Sequence, residues 1–144
     1  METVENMNEL EEFICGKFLG SGIARRAYVF RPDKDLVVKV AEDRGGQSHN
    51  LVEWKIWEEL KDCKEESKWL APVIDVSDSG KYLIMKRAEM GRKEDYPEMV
   101  PRFFTDLKYQ NYGFIGKQLV CVDYANFIIT GGFKFGLKKA DWWE

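Results

Sequence analysis

The stretch "LVVKVA", residues 36–41, decides the fold. It is dense in β-branched side chains, which favour a strand. Two more strand-like runs precede it, "FICGKFLG" (13–20) and "RAYVFRP" (26–32), and the turn "DKD" (33–35) follows the second. The connections are tight, so we predict an antiparallel meander of three strands.

A helix follows this meander. The segment "EDRGGQS" (42–48) is polar and carries two glycines, which is typical of a loop. The segment "HNLVEWKIWEELKD" (49–62) has helical periodicity, and Asn50 or Ser48 is its predicted N-cap. Its predicted apolar stripe consists of Ile56, Trp57 and Leu60.

Two further strands complete the predicted sheet, "WLAPVIDV" (69–76) and "KYLIMKR" (81–87), around the turn "SDSG". We expect 89–102 to be a loop with at most a short helix. Residues 111–125 read as a hairpin around Gly116 that leads into an apolar strand. The pattern predicts an α+β fold: five strands, one helix between the third and fourth, then a strand pair.

Composition narrows the functional class. The 144 residues suffice for one domain with a real core. A net charge of −3 and a pI near 5.4 argue against nucleic-acid binding. No apolar run reaches the roughly 18 residues of a membrane span, and the acidic start "METVENMNELEE" is unlike a secretory signal.

The cysteines indicate a reducing compartment. Cys15, Cys63 and Cys121 are odd in number and far apart, and the single His49 cannot complete a zinc-like pattern. We therefore expect free thiols and a cytoplasmic protein. Cys15 and Cys121 lie in apolar strand-like runs and are predicted to be core residues.

A glycine-rich segment, "LGSGIARRAY" (19–28), lies between two predicted strands. Dinucleotide and Walker-type phosphate sites require a helix after the glycines, so this pattern fits neither. A glycine-rich turn between strands can lay backbone N–H groups over phosphates. The alternative is an ordinary hairpin turn.

Two charged residues occupy predicted buried positions. Lys39 lies within the apolar strand 36–41, where it either faces solvent or meets a buried partner. Glu53 lies on the apolar stripe of the helix, where a carboxylate is costly unless paired. We expect the two to pair; otherwise Glu53 would reach water from the edge of the stripe.

The segment "FFTDLKYQNYG" (103–113) and the triplet "DYA" (123–125) carry the remaining candidates. Asp106 is suited to orient or deprotonate a hydroxyl, and Lys108 to neutralise a phosphate. Asn111 and Asp123 supply the hard oxygen atoms that Mg²⁺ prefers. The alternative is a polar turn before a hairpin.

The order of these pieces resembles the protein-kinase-like superfamily, and most closely its small truncated members from bacteria and phages. The resemblance covers residues 14–126 and implies a kinase N-lobe-like sheet with one αC-like helix over 14–88. A hinge exit, a minimal catalytic loop, a metal-binding strand and the tail would follow over 89–144, in a single domain of residues 1–144. The helical C-lobe is largely missing.

The resemblance also implies the roles of individual residues. Asp106 would be the catalytic base, Lys108 would neutralise the transferring phosphate, and Asn111 and Asp123 would bind Mg²⁺. Lys39 would hold the α- and β-phosphates and pair with Glu53. The predicted ATP-contacting residues are Gly20, Ser21, Gly22, Lys39, Met85, which is near the gatekeeper position, and Ala88 in the hinge.

Several positions depart from the family pattern. Arg25 replaces the third glycine of the loop, Phe104-Thr105 replaces His-Arg, and Ala125 ends the triplet in place of glycine. Without a helical lobe the catalytic loop needs other support. Homodimerisation or an aromatic substitute core would provide it, the latter from Phe103, Phe104, Tyr109, Tyr112, Phe114, Trp142 and Trp143.

The sequence thus favours an ATP- and Mg²⁺-dependent phosphotransferase that acts on a protein hydroxyl, including its own. The alternative is a pseudokinase-like protein that modulates a host or partner protein, in the host cytoplasm if it is phage-encoded. A small-molecule kinase ranks lower, because its acceptor site needs a helical lobe. Chance motif matches on a structural domain are the remaining alternative.

Overall fold

The structure is a computed structural model that describes residues 7–127 and 135–144. The described helices are α1 (Glu9–Ile14), α2 (Arg44–Leu60) and α3 (Lys64–Ser67), with 3-10 turns at Lys93–Asp95 and Tyr109–Asn111. The described strands are β1 (Cys15–Ser21), β2 (Arg25–Phe30), β3 (Leu36–Ala41), β4 (Val73–Val76), β5 (Tyr82–Lys86), β6 (Met99–Pro101), β7 (Tyr112–Ile115), β8 (Gln118–Cys121) and β9 (Leu137–Lys139).

The chain divides into two compact units. The first unit comprises Met1–Leu51 and Val73–Arg87, and the second comprises Val52–Pro72 and Ala88–Glu144. The boundary falls within α2. The prediction that residues 1–144 form a single domain stays a prediction.

A five-stranded antiparallel sheet forms the first unit, in the order β1-β2-β3-β5-β4. The predicted α+β class, the meander and the antiparallel five-stranded sheet are therefore confirmed. Strand β3 is central in this sheet. Its residues Val38 and Val40 are buried and pack with Tyr28 of β2 in a hydrophobic cluster. The predicted strand 69–76 is too long, because β4 begins only at Val73.

Helix α2 begins at Arg44, so the predicted loop at 42–48 is too long and only Glu42 and Asp43 belong to it. Asp43 caps the first turn, since its Oδ1 accepts a hydrogen bond from the N–H of Gly46 at 3.0 Å. A Cβ on Gly46 would lie 2.2 Å from the carbonyl oxygen of Ala24, so glycine permits the close approach of helix and strand. The predicted N-caps Asn50 and Ser48 instead lie inside the helix.

The second unit contains two short antiparallel pairs, β7-β8 and β6-β9. The first is the predicted hairpin, and Gly116 takes a φ of +63° in its turn. The second was not predicted: β6 lies in the segment 89–102, expected to be a loop, and β9 lies in the tail. Among the residues described, no α-helix follows α3.

Aromatic side chains fill the second unit. Phe103, Phe104, Tyr112 and Tyr124 are buried there. Trp142 stacks on Tyr109 with centroids 5.5 Å apart and an interplanar angle of 14°. The predicted aromatic core is therefore present, except that Trp143 is 49% exposed.

Within the described residues, no helix has both the length and the apolar character needed to cross a membrane. The cysteines are all free, as expected. Cys121 is buried, whereas Cys15, predicted as core, is only half-buried.

Candidate active site

The glycine-rich turn connects β1 and β2. Gly20 and Ser21 belong to strand β1, and the N–H of Gly22 donates to the carbonyl oxygen of Arg25 at 2.9 Å. A Cβ on Gly20 or Gly22 would meet no atom within 4 Å, and neither glycine has a positive φ. Folding therefore does not require glycine at these positions, which leaves open space above the backbone.

Arg25, at the position of the third glycine, turns inward. Its Nη1 donates to Oδ1 of Asn50 at 2.9 Å. Asn50 is fully buried, and its Nδ2 donates to the carbonyl oxygens of Lys39 at 3.2 Å and Gly80 at 2.9 Å. This network fixes the start of α2 to the sheet. Sequence reasoning missed it because the N-cap interpretation assigned Asn50 another role.

Lys39 lies on the central strand β3, opposite Ala27 on β2 and Leu83 on β5. It is only 7% exposed. The alternative of a solvated lysine is therefore wrong, and a buried ammonium requires compensating polar or charged groups.

Glu53 is fully buried, so the alternative of a side chain that reaches water is also wrong. Its Oε2 accepts a hydrogen bond from the N–H of Tyr124 at 2.7 Å. Tyr124 follows Asp123 and donates its own hydroxyl to the carbonyl oxygen of Ala71 at 2.8 Å. The helix glutamate thus holds the backbone next to the predicted metal ligand.

Asp106 and Asn111 are joined directly. Nδ2 of Asn111 donates to Oδ2 of Asp106 at 3.2 Å and to its carbonyl oxygen at 3.3 Å. Asp106 has a φ of +38° and an exposed side chain. The hydroxyl of Tyr112 supports the loop by donating to the carbonyl oxygen of Thr105 at 2.6 Å.

Asp123 is tied to the same loop through the backbone. The N–H of Val122 donates to the carbonyl oxygen of Asn111 at 2.9 Å. Burial raises the pKa of Tyr112 above its ordinary value, Cys121 adds to the rise, and the carboxylates of Asp106 and Asp123 add smaller contributions. The structure thus joins Asp106 to Asn111 directly, and Asp123 follows the residue whose N–H bonds to Asn111.

Lys108 is directed toward the tail. Its Nζ lies 5.4 Å from the centroid of the Trp143 ring. The N–H of Lys108 donates to the carbonyl oxygen of Asp106 at 2.7 Å, which fixes the backbone between the two predicted catalytic residues.

The hinge candidates lie at the end of β5 and just beyond it. Met85 is fully buried, opposite Val37 in the sheet. The N–H of Glu89 donates to the carbonyl oxygen of Phe114 at 2.8 Å. Ala88 is half-buried and lies between the end of β5 and Glu89.

No protein-family model matches this chain, and a comparison with curated proteins finds none that matches. No group of three or more His, Cys, Asp or Glu side chains placed to hold a metal ion occurs in residues 7–127 and 135–144. The predicted Mg²⁺ site depends instead on one carboxylate, one amide and the oxygen atoms of a bound nucleotide.

Proposed function

We propose that the protein is a protein-kinase-like phosphotransferase that uses ATP and Mg²⁺ to phosphorylate a protein hydroxyl, including its own. The observation that carries this proposal is the 2.7 Å hydrogen bond from the N–H of Tyr124 to Glu53. Tyr124 follows the predicted metal ligand Asp123 and lies 71 positions after Glu53, and chance motif matches would give no reason for this contact. The antiparallel sheet, with the long helix α2 and the short helix α3 between its third and fourth strands, supports a kinase N-lobe-like fold.

The donor set supports a Mg²⁺ site. Asn111 uses its Nδ2 to hold Asp106, so its amide oxygen remains to bind a cation. The side chain of Asp123 is exposed and adds a carboxylate. A Mg²⁺–ATP complex would supply the transferable γ-phosphoryl group and neutralise its charge.

The protein's own residues then act by position and charge. Asp106 accepts a hydrogen bond from the acceptor hydroxyl and takes its proton during transfer. Lys108 places a positive charge beside the transferring group. Lys39 binds the α- and β-phosphates, the turn from Gly20 to Gly22 covers them, and the backbone of Ala88 meets the adenine.

The first test is a thermal-shift titration with ATP, with and without Mg²⁺, on the wild type, Asp123→Asn and Asp141→Asn. The last replaces an exposed aspartate outside the site. At a hundredfold excess over Kd, ligand binding stabilises the folded state by about 2.7 kcal/mol. We expect a Mg²⁺-dependent rise in Tm for the wild type and Asp141→Asn that Asp123→Asn loses. Equal shifts in all three proteins, or none with any nucleotide, would overturn the proposal.

A second candidate function is that of a pseudokinase-like protein that binds and modulates a host or partner protein. Apolar exposure in the first unit favours it: Ile23 at the turn is 101% exposed, and Phe18 on β1 is 52% exposed. A pull-down with wild type, Lys39→Ala and Ile23→Asp separates the two functions. Capture of one specific protein by the first two, but not by Ile23→Asp, supports this candidate. Phosphoryl transfer without any partner counts against it.

A further inference from the structure

The tail residue Trp143 lies alongside the predicted catalytic loop. The N–H of Trp143 donates to the carbonyl oxygen of Leu107 at 3.0 Å, and the N–H of Tyr109 donates to the carbonyl oxygen of Trp143 at 3.0 Å. These two bonds form an isolated parallel bridge between Lys108 and Trp143. The backbone on both sides of Lys108 is thus held by one tail residue.

The side chains of the bridged residues also meet. Nζ of Lys108 lies 5.4 Å from the centroid of the Trp143 ring, within the range of a cation–π contact. Burial does not account for this tryptophan, since it is 49% exposed. Its neighbour Trp142 differs, because it is half-buried, stacks on Tyr109 and donates its Nε1–H to the carbonyl oxygen of Pro97 at 2.9 Å.

We propose that Trp143 is a positioning residue that fixes the ammonium group of Lys108 for phosphoryl transfer; this inference rests on the proposed function. A lysine side chain is a flexible four-carbon stem, and an ordered ammonium costs rotamer entropy. The backbone bridge fixes the root of that stem, and the aromatic face restricts its tip. Trp143 touches neither nucleotide nor acceptor and acts through Lys108.

The contact itself is measured by NMR on protein with isotope-labelled lysine. Ring currents of Trp143 should shift the ε-methylene protons of Lys108 upfield, and the signal that disappears in Lys108→Arg identifies them. We expect the shift to vanish in Trp143→Leu and to persist in Trp54→Leu, which removes another exposed tryptophan of the second unit. An unshifted Lys108 signal in the wild type would overturn the inference, whatever the outcome of the activity assay.

The role is measured by transfer kinetics on wild type, Trp143→Leu, Trp143→Tyr and Trp54→Leu, with Tm as the check on folding. We expect Trp143→Leu to lower kcat about two- to fivefold, the equivalent of one exposed cation–π contact, at unchanged KM for ATP and unchanged Tm. Trp143→Tyr should restore most of kcat because it keeps an aromatic face.

Three outcomes would overturn the positioning role. The first is a wild-type kcat in Trp143→Leu, and the second is an equal loss in Trp143→Tyr and Trp143→Leu. The third is a loss accompanied by a lower Tm, which indicates a structural role. A wild type that neither binds nor uses ATP would overturn the proposed function and the role together, while the NMR result would still decide whether the contact exists.

Discussion

At the scale of single residues, Asp106 stands out by its backbone. It is the one non-glycine residue with a positive φ among those the structure describes. That region costs most L-residues roughly 1–2 kcal/mol, and less for Asp and Asn, whose short polar side chains bond locally. The two hydrogen bonds from Asn111 compensate part of this cost. The conformation therefore holds the carboxylate of Asp106 at the tip of an ordered loop.

The strain at Asp106 determines which substitution tests its role. We expect Asp106→Asn to unfold at nearly the wild-type urea concentration, because Asn tolerates this φ, while kcat falls by at least about a hundredfold for lack of a base. Asp106→Ala should lose about 1 kcal/mol of unfolding free energy relative to Asp106→Gly, since only glycine relieves the strain. Phosphoryl transfer by Asp106→Asn at the wild-type rate would refute the assignment of Asp106 as the base. ATP titrations of Asp106→Asn should show the same binding as the wild type.

Glu53 accepts the hydrogen bond that holds the backbone at Tyr124. Glu53→Gln keeps an oxygen that accepts from the N–H of Tyr124, so we expect it to lose less unfolding free energy than Glu53→Leu. Glu53→Leu removes that acceptor from a buried donor and should cost about 1–3 kcal/mol. Urea unfolding measures both. Equal losses in the two variants would show that the hydrogen bond to Tyr124 is unimportant for stability.

At the scale of elements, two glycine sites behave in opposite ways. Gly46 is required for packing, because an added Cβ would lie 2.2 Å from a backbone oxygen of Ala24 and 2.9 Å from the Cβ of Ala41. Gly22, in the turn after β1, has nothing within 4 Å of that position. Gly46 is therefore required for the packing of α2 against the sheet, whereas packing does not require a glycine at position 22.

These two positions give a matched pair of substitutions. We expect Gly46→Ala to lower the unfolding free energy by about 1–3 kcal/mol, as overpacking does. Gly22→Ala should leave stability unchanged or slightly higher, yet weaken ATP binding if the turn covers the phosphates. Urea unfolding and nucleotide titration separate the two effects. Tight ATP binding by Gly22→Ala would remove the turn from the nucleotide site.

Most of the strands could be predicted from the sequence. The strands β1, β2, β3 and β5 and the hairpin β7-β8 follow from local patterns, since β-branched runs and turn residues act within a few positions. The start of α2 was mispredicted because Gly45-Gly46 reads locally as a loop, whereas the reason for Gly46 is a close approach to Ala24. A contact of that kind has no local signature.

At the scale of the whole molecule, the pairing of β6 with β9 could not be predicted. Each strand has three residues, and Val100 pairs with Lys138, far away in the chain. The residues of the candidate site could be identified from the sequence, because Asp106, Asn111 and Asp123 have distinct chemistry. The groups that support them could not be identified, because they lie far away in the sequence: the backbone of Trp143 and the carboxylate of Glu53.

The folded protein should become less stable as the pH rises into the alkaline range. Burial, with a smaller contribution from Glu11, raises the pKa of Cys15 from 9.0 to about 11, and burial also raises the pKa of Tyr28. A raised pKa in the folded state favours the neutral thiol, so its contribution to stability is complete below pH 9 and is lost as the pH rises to 11. We expect unfolding free energies from urea titrations to fall across this range.

Two cysteine variants control this measurement. Cys15→Ala should flatten the decline with pH, whereas Cys63→Ala, which changes an exposed thiol, should leave it as in the wild type. A decline of the same steepness in Cys15→Ala would mean that other groups, such as the buried tyrosines, cause it.

The backbone bridge between Lys108 and Trp143 has a consequence for biosynthesis. Contacts between residues far apart in the chain form late, because loop closure must precede them. During translation the loop that carries Asp106 emerges well before residues 137–143, which must leave the ribosome before they can pair with it. The five-stranded sheet can therefore form on the nascent chain first, whereas the loop of Asp106 gains its bridge to Trp143 only after residues 137–143 have emerged.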